Sequence, residues 1–171
     1  MRMRSDFFPS QVYPPLDVMR KTLSDMGIAF HEEAGSLFTR LPLKNQVVQV
    51  ACWAEPDDIA TVIVRLPVRV SPDFRAKAGE FLHRLNFNAK RKFWEINHDD
   101  GEVRLSCFTD TLVGPLTGRL FRALLNALLE TANAAFPYLT SVLSGRMSPE
   151  FAADQAQAAV QTGWARENED E

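Results

Sequence analysis

The sequence predicts a single α+β domain: an antiparallel or mixed sheet of about six strands with helices packed on one face. Three observations lead there. The chain has 171 residues, 46% of them apolar and 24% charged, which suits one globular domain able to hold a core without disulfides or a structural metal. The hydrophobic period is helical, then alternating, then helical again, so strands are bunched instead of interleaved with helices throughout, unlike a doubly wound nucleotide-binding fold. The connectors between strand patterns are shorter than the roughly dozen residues of a parallel crossover, so antiparallel hairpins are expected.

Residues 1–13 lack a regular pattern and are read as an N-terminal arm ahead of a domain spanning 14–160. After Pro14, Leu16, Met19, Leu23 and Met26 recur at helical spacing; Pro15 suits a first turn and Gly27 a left-handed stop. Residues 28–33, 37–41, 46–54 and 59–66 then read as strands, bounded by Ala34-Gly35-Ser36, Lys44-Asn45 and Glu55-Pro56-Asp57-Asp58. Val48, Val50, Cys52 and Ala54 share one face of the third strand, and Ala60, Val62, Val64 and Leu66 one face of the fourth. Ser71-Pro72-Asp73 combines a cap, a first-turn proline and an acid favourable to the helix dipole. The helix that follows buries Phe74, Ala78, Phe81, Leu82 and Leu85 and ends near residues 86–88.

Residues 93–98 and 102–108 form a hairpin through Asp99-Asp100-Gly101, with Val103, Leu105 and Cys107 on one apolar face. Beyond Gly114-Pro115 a long helix carries two stripes, one of Leu116, Leu120, Leu124 and Leu128, the other of Phe121, Leu125, Leu129, Ala132 and Phe136. Pro137 is expected to break or kink it before Gly145. Ser148-Pro149-Glu150 opens an Ala-rich last helix, and residues 161–171, with Glu167, Glu169, Asp170 and Glu171, read as an acidic tail.

Chemistry is sparse. Cys52 and Cys107 sit in apolar runs with no CxxC pair, which points to buried core thiols and a reducing, cytoplasmic setting. No apolar stretch reaches the roughly 20 residues of a membrane span, and the first residues lack a signal-peptide core. A net charge of −3 gives no global attraction to nucleic acid or anionic lipid. His31 reads as an edge-strand residue, His83 as a helix-surface residue, and His98 with Asp99 and Asp100 as a tight turn instead of a metal site. Serines and glycines form neither a nucleophile elbow nor a phosphate cradle. The one basic concentration, Arg84, Lys90, Arg91 and Lys92, lies beside Phe87, Phe93 and Trp94 and supports an alternative reading as a nucleic-acid-associated regulator.

Several pieces in order resemble the YbjN family over about residues 15–158: Phe81-Leu82-His83-Arg84-Leu85-Asn86 closing the second helix, Phe93-Trp94-Glu95-Ile96, the Asp-Gly-Glu-Val-Arg strand start at Asp100 to Arg104, Ala135-Phe136-Pro137, and Met147-Ser148-Pro149-Glu150. Where relatives tend to have a glycine before the strand, this chain has Lys90-Arg91-Lys92. The resemblance implies a compact α+β fold like that of type III secretion chaperones, in bacterial proteins named as sensory-transduction regulators, and it transfers no catalytic residue.

Together these readings predict a non-enzymatic protein-binding module, chaperone-like or regulatory, that holds a partner protein segment on its sheet or a helical groove, with no cofactor or metal. The expected contact residues are Trp53, Ile63, Trp94, Phe121 and Leu125. Val47, Trp53, Ile59, Ile63 and Trp94 are placed on the strand faces opposite the core, and that apolar surface, or the second stripe of the long helix, is expected to be buried in a homodimer unless the last helix folds back to cover it.

Overall fold

The computed structural model describes residues 14–55, 59–87, 89–112 and 114–167, with side chains through residue 161; the arm read over residues 1–13 lies outside them. The chain runs α1 (Pro15–Asp25), β1 (His31–Glu33), β2 (Ser36–Leu43), β3 (Gln46–Ala54), β4 (Ile59–Arg69), α2 (Pro72–Phe87), β5 (Lys92–Ile96), β6 (Glu102–Asp110), α3 (Gly118–Leu143) and α4 (Pro149–Glu167). The strands make one six-stranded sheet in the order β1-β2-β3-β4-β6-β5, antiparallel at every pairing. This is the α+β architecture that the bunched strand patterns predict.

Strand register decides which residues meet the helices. Leu37 pairs with Cys52 and Leu41 with Val48; Val50 pairs with Val64, and Cys52 with Val62. Val62 then pairs with Cys107, Val64 with Leu105, and Leu105 with Trp94. Because side chains alternate, all of these lie on one face, and all belong to one buried cluster with Met19, Leu23, Phe81, Leu82, Phe121 and Leu125 from the helices. Each such large apolar side chain contributes about 1.5–3 kcal/mol by leaving water.

Three corrections follow. Trp94 was expected on the face opposite the core, but pairing with Leu105 turns it inward, where it is buried; its neighbour Phe93, paired with Ser106, faces out. Phe121 and Leu125 were expected to meet a partner, yet they sit at the centre of the core with no exposed surface. Pro137 does not break α3, which runs through it from Gly118 to Leu143. Thr140 and Ser141 donate their hydroxyls to the Pro137 carbonyl, and the helix stops at Gly145 (φ +71), with Gly145 N–H donating to Val142 O and Arg146 N–H to Ser141 O.

α4 packs back onto α2 and α3 through Ala152, Ala153 and Ala156, so the last helix itself covers the long helix. It continues to Glu167, beyond residue 161 where the acidic tail was expected to begin; residues 168–171 lie outside the described part. At the β5–β6 hairpin a glycine is required at 101. Its φ is +75, its carbonyl accepts from Val70 N–H at 2.8 Å, and a Cβ there would fall 2.1 Å from Val70 O.

Candidate protein-binding face

The helices lie on one side of the sheet, and the other side carries three rows of side chains across the strands. The first row runs Arg40, Gln49, Arg65, Arg104 and Glu95, neighbours in register over β2, β3, β4, β6 and β5. The second runs His31, Phe38, Ala51, Ile63, Ser106 and Phe93, from β1 to β5. The third runs Glu33, Ser36, Trp53, Thr61 and Phe108. A cationic row thus lies beside two rows rich in aromatic rings.

Burial within this face is uneven. Ile63 is 4% and Ala51 2% exposed although neither belongs to the helix-side core cluster. In register around them, Phe38 and Trp53 are half-buried, and Phe93 and Phe108 are 43% and 46% exposed. Phe93 and Phe108 approach each other at 6.1 Å between centroids, and His31 stacks on Phe38 at 5.2 Å. Of the expected contact residues, Trp53 and Ile63 are therefore on this face, while Trp94, Phe121 and Leu125 are in the core.

Several polar groups in the face are paired, while Arg65 Nε is buried without a hydrogen-bond partner among the described residues. Ser106 is fully buried and donates to Glu95 Oε2 at 2.6 Å, and Thr61, also fully buried, donates to Glu55 at 3.1 Å. Arg104 donates to both Glu95 oxygens at 3.0 and 3.2 Å. Burial pushes the Glu95 carboxyl up, but the bonds from Arg104 and Ser106 and the Arg104 charge outweigh it, leaving its pKa below the ordinary value. Arg65 lies 3.5 Å from Glu102. Arg40 is exposed and has no acidic partner among the described residues.

The other sequence candidates disperse. Arg84 is tied to Glu80 at 3.0 Å and lies 3.9 Å from Glu150, and Lys92 turns inward to donate to Thr131 Oγ1 at 2.6 Å. Only Lys90 and Arg91 of that basic cluster remain exposed, which halves the charge available for nucleic acid. Asp100 serves the turn: its Oδ1 accepts from Glu102 N–H and its Oδ2 from Arg69. Among the described residues no group of three or more His, Cys, Asp or Glu could hold a metal ion. Burial pushes the Cys52 thiol up to about 12, and it also raises Cys107 against the lowering influence of Lys92 and Arg91. Both are core thiols poorly suited to nucleophilic attack.

Asn86 has a role that sequence reading missed. Trp94 N–H donates to Asn86 Oδ1 at 2.7 Å, and Asn86 Nδ2 donates to Trp94 O at 2.8 Å. β5 is an edge strand, and this amide clamp satisfies the backbone N–H and carbonyl of Trp94 from the end of α2. The Leu-Asn close of the helix was the signal. The rows themselves had a partial signal, since alternation in each strand separates the faces, but Arg40, Arg65 and Arg104 line up only once the register is known.

The fold is a YbjN-like α+β domain. The solved structure of YbjN from E. coli, a proposed transcription regulator, is similar to it with a TM-score of 0.52 and 17% sequence identity, covering 70% of this chain and 87% of that one. No family model and no curated protein matches the chain. Among the described residues no helix is long and apolar enough to cross a membrane.

Proposed function

We propose that this chain is a non-enzymatic protein-binding module of regulatory kind, working in the cytoplasm, and that the sheet face not covered by the described helices holds a partner protein segment. One observation carries the reading: four aromatic side chains, Phe38, Trp53, Phe93 and Phe108, lie in register with the buried Ala51, Thr61, Ile63 and Ser106 on a face that none of the described helices covers, beside a row of three arginines. Aromatic and arginine side chains are those that dominate binding energy at protein interfaces. The segment that fits is apolar with an acidic side chain, which would neutralise Arg40 while its apolar groups cover the rings. The regulatory part of the proposal draws on the likeness to YbjN.

A second copy of this chain is the competing occupant. The homodimer expected from the sequence had two possible faces; α4 already covers the long helix, which leaves the sheet face. Light scattering of the wild type and of Phe93→Glu with Phe108→Glu separates the cases, with circular dichroism to verify folding. A wild-type monomer whose captured proteins from source-cell lysate are lost in the double variant and in Arg40→Glu supports the partner segment. A dimer that the double variant disperses assigns the face to self-association instead, and a captured set indifferent to all three substitutions overturns the reading.

A further inference from the structure

A second feature, independent of the sheet face, lies among the helices. Between the end of α2, the loop into β5, α3 and α4 is a cavity of about 640 Å³, within the roughly 300–1,000 Å³ range of small-molecule sites. Leu85, Leu124 and Val160 form its apolar walls, and Trp94 lies at the strand side. Ala127 on α3 and Ala156 on α4 leave the room, since either position filled by a large side chain would occupy the space between the helices.

Charge is distributed with one sign. Among the described residues, Lys90, Arg91 and Lys92 line the cavity and no Asp or Glu does. Lys90 and Arg91 are exposed and so stand at its opening, whereas Lys92 is held inside by its bond to Thr131. Burial pulls the Lys92 pKa down, while nearby Glu130 works in the opposite direction. The remaining polar lining is modest: Thr131 is bonded to Lys92, and Gln157 Nε2 donates to the Arg84 carbonyl at 3.1 Å. A sugar or nucleobase would find few oriented partners here, whereas a hydrocarbon chain with one anionic end matches both the walls and the mouth.

We propose that this cavity binds a small amphiphilic carboxylate, its hydrocarbon chain against Leu85, Leu124 and Trp94 and its carboxylate at the opening beside Lys90 and Arg91. The basic loop of Lys90, Arg91 and Lys92 thereby acquires a role. It receives the anionic end of the ligand, and is not a nucleic-acid platform.

The test is isothermal titration calorimetry of decanoate into the full chain, below the micelle-forming range, with decanol as the uncharged comparator. Saturable binding of one decanoate per chain is expected, with decanol weaker. Lys90→Ala with Arg91→Ala, both on the surface, should weaken decanoate about two- to fivefold, the scale of a part-exposed charge pair, and leave decanol unchanged. Ala127→Phe should abolish both; its melting curve shows whether it folds, and the surface variant remains decisive if it does not. Three results would overturn the proposal: no saturable heat from the folded wild type, decanoate and decanol bound equally and indifferently to the charge variant, or decanoate binding that a folded Ala127→Phe leaves intact.

Discussion

The two faces of the sheet are built from alternate residues of the same strands, yet they solve burial differently. On the helix side, Val50, Cys52, Val62, Val64 and Leu105 are sealed by α1, α2 and α3 and need no polar company. On the other side, Thr61, Ile63 and Ser106 are equally buried although none of the described helices packs on that face. Burial is therefore not the same as coverage. A residue can be out of water on a surface that is still open to a partner, and the atoms a partner would meet are those of the flanking rings and arginines.

The largest difference between the faces should appear in stability. Phe121→Ala removes a fully buried ring from the helix-side core and should cost about 3–5 kcal/mol in urea denaturation, whereas Phe93→Ala, 43% exposed on the other face, should stay within about 1 kcal/mol. Equal costs would mean that the two faces are energetically one core and would remove the distinction. Ile63 sharpens it. It is as buried as many core residues, but a side chain deleted there opens a gap that the neighbouring rings and water can fill, so Ile63→Ala should cost about 2 kcal/mol, at the low end of the range for a buried aliphatic. A cost at the Phe121 level would show that the open face is packed as rigidly as the covered one.

How much of this was legible in the sequence depends on what set each feature. β3 alternates through Val48, Gln49 and Val50 and so shows its inward face without any structure, whereas β4 is apolar almost continuously from Ile59 to Val64 and is buried on both faces over residues 60–64. β5 reads Lys-Phe-Trp-Glu-Ile, with rings at adjacent positions, and local pattern cannot say which ring turns inward. Pairing with β6 and the Asn86 clamp decide it, and both are contacts between separate elements. The arginine row is similar: Arg40, Arg65 and Arg104 come from three strands and become neighbours only through register. Pro137 failed as a stop because tertiary packing of α3 outweighs a single missing backbone donor, which propensity alone does not weigh.

The smallest expected effect tests the electrostatics of the open face. Glu95 has a pKa held below the ordinary value: burial raises it, and the bonds from Arg104 and Ser106 lower it by more. A carboxyl with a depressed folded pKa adds stability above its unfolded value of about 4.3, and that contribution is lost as pH falls through the lower folded value. The melting temperature of wild type should therefore exceed that of Glu95→Gln at neutral pH, and the gap should close as pH falls through the depressed folded value into acid. The size is modest. The Glu95 side chain is 38% exposed, so solvent screening keeps the gap below about 1 kcal/mol, or a few degrees. No gap at neutral pH, or one that widens in acid, would mean that Glu95 does not hold Arg104. Arg104 would then join Arg40 as a cation open to an acidic partner, and the face would select its segment more by charge than by its rings.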